Sequence, residues 1–234
     1  MTRRRWIADE ISGHRAALVG AHAEHLVRVL RAQLGQEFEI AIGSEVRRGM
    51  IVSMADGRVE FALGENVPSA QAANITLALS VFKFDRMEWA IEKCTELGVA
   101  KIVPIISQRT EKHLASAAEK RMERWQRIAR QASEQSRRVS PPEITTPIKL
   151  RDAIGIPGGS RVVLAENEQQ VMLKDAIPPD ADIVLALGPE GGWTEVELKS
   201  FREAGWVLAS LGNTILRAET AAIAAIAIAV SAIG

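Results

Sequence analysis

The sequence predicts an α/β fold, a parallel β-sheet domain preceded by a small β-barrel module. Three observations carry this expectation. One helical segment is followed, between Gly35 and Leu63, by three closely spaced short strand candidates. Residues 75–106 then read as strand, helix and strand, and a β-α-β unit implies parallel pairing. Farther on, residues 161–166 and 183–187 are almost wholly apolar, as interior strands covered on both faces should be.

Taken in order, the chain opens with Arg3, Arg4 and Arg5 before a short strand at Trp6 and Ile7. A solvated terminus and a phosphate contact both fit that basic cluster. Residues 22–34 are predicted helical, with Leu26, Val29, Leu30 and Leu34 on one face and Gly35 as the stop. His25 beside that face reads as a packed or surface residue, because no second metal-binding group has suitable spacing. Strands are expected at 37–42, 46–53 and 59–63, separated by Gly43-Ser44 and by Ala55-Asp56-Gly57. A linker around Pro68 divides the chain into domains at residues 1–70 and 74–234. A strand over 75–84 precedes a helix over 89–97, with Asp85 and Glu88 at capping-box spacing and Gly98 as terminator. The strand 101–106 delivers a polar loop, 108–113, at its C-terminal end, where ligands bind in open α/β sheets.

A long helix is expected over 116–138, with Ala118, Met122, Trp125, Ala129 and Ala132 inward and Pro141 and Pro142 ending it. Residues 109–138 hold nine Lys/Arg against four Asp/Glu, which fits a solvated helix face and a track for a phosphate backbone equally well. After the strand 183–187 comes Gly188-Pro189-Glu190-Gly191-Gly192-Trp193; Thr194 and Glu197 then have capping-box spacing for a helix ending near Gly205. Residues 206–211 form the last strand. The terminal helix beyond it is alanine-rich, with Ile223, Ile226, Val230 and Ile233 as an apolar stripe, and its apolar run is far shorter than the roughly 20 residues of a membrane span. A buried helix is the expectation.

The totals narrow the function classes. Hydrophobic residues at 47%, charged residues at 25% and a formal net charge of zero describe a globular chain whose overall charge announces no nucleic-acid partner. A single cysteine, Cys94, excludes an intramolecular disulfide and a cysteine-built metal cluster, and no signal-peptide pattern opens the chain, so a cytoplasmic protein without a metal is expected. Neither a G-x-G-x-x-G after the first strand nor a phosphate-binding G-x-x-x-x-G-K-[ST] is present. The two glycine loops, 188–192 and 211–216, and the turn after Ala165 and Glu166 each leave a buried strand. Such loops let a ligand touch the backbone and suit an adenine and ribose; tight turns alone are the other reading.

Gly188-Pro-Glu-Gly-Gly-Trp193 together with Leu211-Gly-x-x-Ile-Leu-Arg-x-Glu-Thr-Ala221 resembles the RsmE family of 16S ribosomal RNA uracil-N3 methyltransferases, members of the SPOUT superfamily. Supporting similarity runs through Lys83-x-Asp-Arg-Met87, Lys93-x-Thr-Glu-Leu-Gly98, Pro104, Ala132-x-Glu-Gln-Ser136 with Arg138 and Pro142, and His25-Leu-x-x-Val-Leu-Arg31. The family commonly shows proline and arginine where this chain has Asn213 and Thr214, ahead of Ile215-Leu216-Arg217.

The resemblance implies a SPOUT-type parallel sheet with a C-terminal trefoil knot behind a PUA-like RNA-binding domain. It implies methyl transfer from S-adenosylmethionine to N3 of one uridine of 16S ribosomal RNA in the small ribosomal subunit, by a homodimer. The cofactor-binding residues it implies are Leu164, Ala165 and Glu166; Leu187, Gly188, Pro189, Glu190 and Gly191; and Leu211, Gly212, Ile215, Leu216, Arg217 and Thr220. Arg217 and Glu219 are the implied catalytic pair, although Glu219 and Thr220 also fit a capped helix start. RNA would lie on Arg3, Arg4, Arg5, Arg109, Lys112, Arg124, Arg130 and Arg138. Three rivals stay open: a SPOUT enzyme acting on another nucleotide, a non-catalytic RNA-binding protein of the same fold, and a nucleotide-dependent enzyme with an ordinary doubly wound sheet.

Overall fold

A computed structural model describes residues 4–69, 73–179 and 182–233, and the chain divides into two compact units. The first comprises residues 1–71 with 130–141, the second 72–129 with 142–234. This differs from a single cut near residue 70 because residues 130–141 pack with the N-terminal strands.

In the first unit the elements are β1 (Trp6–Ile7), β2 (Glu10–Ser12), β3 (Arg15–Val19), α1 (Ala21–Glu24), β4 (Glu37–Ile42), β5 (Glu45–Ala55) and β6 (Arg58–Asn66). They form a curled six-stranded sheet in the order β1-β4-β5-β6-β3-β2, a half-barrel rather than a closed one. Trp6, Leu18, Leu26, Ile40, Ile51, Val59 and Phe61 fill its concave side. The bend of β5 accompanies two register shifts, and Gly49 sits at one of them, where a Cβ would fall 2.5 Å from Ile40 Cγ1. The short strands β2 and β3 lack a clean alternation and escaped the sequence reading. The helix expected over 22–34 is also shorter. After α1 the chain widens into a π turn, His25–Val29, closed by Leu30 N–H donating to His25 O at 3.2 Å. Of the expected apolar face the altered pitch leaves Leu26 in the core, while Val29, Leu30 and Leu34 are exposed.

The link to residues 130–141 is ionic. Glu134 is fully buried and pairs with Arg4, with Arg130 at 3.6 Å and with the Ile7 N–H at 3.5 Å. Arg130 also meets Asp9 at 2.7 Å, and Glu39 accepts from Arg5 at 2.9 Å and from Arg137.

The second unit carries β7 (Ile75–Ser80), α2 (Phe84–Glu96), β8 (Lys101–Ile106), α3 (Lys112–Ala117), α4 (Met122–Gln135, shared with the first unit), β9 (Glu143–Ile144), β10 (Ile148–Lys149) and α5 (Leu150–Ala153). Then follow β11 (Ser160–Leu164), α6 (Leu173–Ala176), β12 (Ile183–Leu187), α7 (Glu195–Glu203), β13 (Val207–Ala209) and α8 (Ala218–Ile233). All strands of its sheet are parallel, in the order β10-β8-β7-β12-β11-β13 with β9 also beside β8. Along β12, Ile183, Leu185 and Leu187 enter one core while Val184 and Ala186 enter the other, so both faces are covered.

Three helix expectations need correction. Instead of one helix over 116–138 there are α3, a 3₁₀ turn at Glu119–Arg121 and α4. α2 begins earlier than residue 89: Lys83 is its N-cap, without a side-chain hydrogen bond, and Glu88 binds Arg124 at 2.6 Å instead of closing a capping box on Asp85. In α8 the buried face is Ala222, Ala225, Ile226 and Ala229 rather than the isoleucine stripe; Ile223, Val230 and Ile233 are only partly buried. Alanine lets the helix axis approach α2, α6, β7 and β12 closely, and the larger side chains are displaced to the flanks. No helix among the described residues is long and apolar enough to cross a membrane.

Burial raises the Glu39 carboxyl, but hydrogen bonds and charge from Arg137 and Arg5 outweigh it and hold the group below its ordinary value of 4.5. A depressed carboxylate stabilises the folded form above its unfolded pKa and loses that contribution as pH falls through the folded one. Thermal melts of wild type should therefore lose stability on acidification below about pH 4.5, and Glu39→Gln should flatten that slope. Equal slopes for the two proteins would show that Glu39 contributes nothing to it.

Candidate active site

Because β12, β11 and β13 are parallel neighbours, their C-terminal ends open at one edge of the sheet. Three loops leave there side by side and bound a cleft of about 990 Å³. Leu164, Ala165 and Glu166 come from β11; Leu187, Gly188, Pro189, Glu190 and Gly191 from β12; Leu211, Gly212, Ile215, Leu216 and Arg217 follow β13. Carboxylates of Glu166, Glu190 and Glu195 and the guanidinium groups of Arg86, Arg109 and Arg217 share this lining with apolar side chains.

The glycine loop is held tightly. Gly192 N–H donates to Pro189 O at 2.8 Å with Gly192 at φ +68°. A Cβ on Gly188 would fall 3.2 Å from Gly192 C and 3.3 Å from Trp193 N, both backbone atoms, so any larger residue would press on the turn. Trp193 buries its ring against Phe201 and donates its indole N–H to Leu164 O at 3.1 Å, tying the β12 loop to the end of β11. From the loop after β8, Arg109 donates to Gly191 O and, at 3.3 Å, to Trp193 O. Buried Glu197 closes the capping box of α7, accepting from Thr194 N at 2.8 Å, while its other oxygen accepts from Gln108 N at 2.7 Å. The loop after β13 is pinned by Ser210, whose N–H donates to Val171 O and whose carbonyl accepts from Leu173 N–H, each at 2.9 Å.

Arg217 is exposed toward the cleft, and its carbonyl accepts from Ala221 N–H at 2.8 Å in the first turn of α8. Glu219 is only 4% exposed; its Oε1 lies 3.9 Å from Arg86 Nε, and its Oε2 has no hydrogen-bond partner. Arg86 also donates to Glu190 Oε1 at 2.7 Å.

Residues 69–230 match the RNA methyltransferase domain family. Over 227 residues the chain is 33% identical to the ribosomal RNA small subunit methyltransferase E of Synechocystis sp., an alignment covering 94% of this chain and 74% of that protein. The chain belongs to the ribosomal RNA small subunit methyltransferase E family. A solved family structure from Neisseria gonorrhoeae, bound to S-adenosyl methionine, is 33% identical and superposes with a TM-score of 0.86 over 96% of this chain and 95% of that one. A putative methyltransferase from Legionella pneumophila, in complex with the bound cofactor SAM, is 27% identical with a TM-score of 0.87 over 98% and 97% of the two chains.

For this family member the structure places the other residues singled out in the sequence as follows. Thr220 does not line the cleft; it lies in α8, past its first residue, on a neighbouring apolar groove with Trp89, Leu97, Ile223 and Ala227. Arg3 lies outside the described residues. Arg5 is buried in its pair with Glu39, Arg4 and Arg130 are paired with Glu134, and burial pushes the Arg138 guanidinium down to about 10. Lys112 and Arg124 are exposed, the latter paired with Glu88, and Arg109 holds the glycine loop. Sequence reasoning gave Arg86 no role beyond its place in Lys83-x-Asp-Arg-Met87, and it missed that Trp193, Arg109 and Glu197 brace the loop. The capping-box spacing of Thr194 and Glu197 was the visible signal for one of these contacts; the long-range partners had none.

Replacing Glu197 with Gln exchanges an acceptor for a donor facing a backbone N–H. Glu197→Gln should cost about 1–3 kcal/mol, read by urea denaturation. A cost indistinguishable from zero would show that the two bonds add nothing.

Proposed function

We propose that this chain transfers a methyl group from S-adenosylmethionine to N3 of a uridine in the 16S ribosomal RNA of the small ribosomal subunit. The observation that carries the reading is the meeting, in one cleft, of the braced glycine loop and the loop bearing Arg217, in a chain of this family. The cleft residues fit the cofactor. Backbone groups of residues 188–191 and 211–216 are available to an adenosine, apolar Leu164, Leu187 and Leu216 flank them, and both charge signs are present for an amino-acid moiety. When bound there, the cofactor supplies an activated methyl group on a sulfonium.

The residues of this chain do the rest. The loops fix the uracil relative to the donor for in-line attack. Uracil N3 would give up its proton to solvent and form its bond to the methyl carbon as the carbon–sulfur bond breaks and leaves a neutral thioether, and Arg217 stabilises the charge developing on the uracil oxygens. Glu219 is buried and absent from the cleft lining, which favours orientation of the α8 start over direct proton acceptance.

The first unit serves as the PUA-like RNA-binding domain, and Arg3, Arg4, Arg5, Arg109, Lys112, Arg124, Arg130 and Arg138 are the residues expected to meet RNA. Of these, Lys112 and Arg124 are exposed, while Arg5 acts through the structure it stabilises. After β13 the chain returns to pack α8 on β12 and β7, across β11, which supports a trefoil knot. The apolar groove beside α8, with Trp89 nearly half exposed, supports a homodimer. The enzyme works in the cytoplasm.

The test is label transfer from S-adenosylmethionine to unmodified small-subunit particles, with the modified nucleotide mapped. Label at N3 of one uridine is expected; label at another base, or none, overturns the reading. Arg217→Ala should lower turnover about 100- to 1,000-fold with cofactor affinity changed less than about threefold, measured by single-turnover rates and calorimetry. Loss of affinity alone would remove Arg217 from the chemistry.

A further inference from the structure

α2 begins against its own electrostatics. Lys83 is its N-cap and Arg86 lies in its first turn, two cations against the single carboxylate of Asp85 where the positive end of the helix dipole favours anions. Both cations face carboxylates from elsewhere in the unit. Arg86 Nη1 donates to Glu190 Oε1 at 2.7 Å, Arg86 Nε lies 3.9 Å from Glu219 Oε1, and Lys83 Nζ lies 3.9 Å from Glu190 Oε2. Glu190 belongs to the glycine loop and Glu219 to the start of α8, so the Arg86 fork spans two walls of the cleft.

Glu219 makes this contact informative. It is nearly fully buried, one carboxylate oxygen lacks any hydrogen-bond partner, and no Lys or Arg other than Arg86 makes an ion pair with it among the described residues. A buried carboxylate in that state depends on its nearest cation. The glycine loop does not, because Arg109 and Trp193 pin it independently.

We propose that Arg86 is a positioning residue for methyl transfer: paired with Glu190 and Glu219 at once, it sets the start of α8 against the glycine loop and thereby places Arg217. The proposal rests on the function proposed above. Removing Arg86 releases Glu219 and lets the segment carrying Arg217 wander, while the glycine-loop backbone of the cofactor site stays where Arg109 and Trp193 keep it.

Hydrogen exchange on the full chain without cofactor tests the structural half. Arg86→Gln should speed exchange in peptides covering residues 211–224 by about fivefold or more, leaving residues 75–80 and 183–187 unchanged. Glu190→Gln, made in the other loop, should speed exchange in the same 211–224 peptides, a coupling that an ordinary local salt bridge would not produce. Arg86→Lys, keeping the charge but losing the fork, should fall between wild type and Arg86→Gln. The catalytic half is read as turnover: Arg86→Gln should lower kcat about tenfold or more, a larger factor than the rise in KM for S-adenosylmethionine that loosening of 211–216 brings. Unchanged exchange at 211–224 in either Gln variant, or kcat equal to wild type, overturns the proposal. Absence of methyl transfer in the wild type would instead sink the proposed function, and the exchange measurements would still decide whether Arg86 couples the two loops.

Discussion

In a parallel sheet every strand presents its carboxyl end to the same edge, and in this chain β11 lies between β12 and β13. Chain segments that are separated by tens of residues therefore have to leave the sheet as immediate neighbours. The cleft depends on that constraint. Glycine-rich backbone from one strand end, the Ala165 turn from the next and the loop carrying Arg217 from the third cannot avoid one another once the strands pair in this order. Covering the sheet on both faces is the other half of the condition, since apolar residues alternate between two cores along β12 and leave the edge as the natural place for polar ligands.

Loops at such an edge would be loose without further bonds, and this chain braces them with side chains sent from other elements. Arg109 binds carbonyls of the glycine loop, Trp193 reaches the end of β11, and Glu197 joins the loop after β8 to the start of α7. The same device recurs in the first unit, where buried Glu134 gathers Arg4, Arg130 and the Ile7 N–H. Burying a carboxylate costs several kcal/mol unless cations or N–H donors surround it. Such a group therefore tolerates few alternative arrangements, which makes it effective at fixing loops. It also explains why several arginines with the look of a phosphate-binding track are engaged within the protein.

The terminal helix shows how packing overrides apparent amphipathicity. Its isoleucines form the more obvious stripe, yet the face that enters the core is Ala222, Ala225, Ile226 and Ala229. Close approach of the backbone to β7 and β12 favours small side chains over large ones. The π turn after α1 is a similar case, because one widened turn rotates Val29 and Leu30 out of the core that periodicity assigned to them.

By itself, the sequence determined the strand–helix alternation from residue 75 onward, the strands 101–106 and 183–187, the capping box at Thr194 and Glu197, and the two glycine motifs that mark the cleft loops. These are local signals: periodicity, turn chemistry and short spacings are written in neighbouring residues. Only the tertiary structure decided that residues 130–141 join the first unit, that Thr220 turns away from the cleft, and that Arg86 touches both Glu190 and Glu219. Each of those depends on strand order and on ion pairs between residues far apart in sequence, which no local pattern encodes.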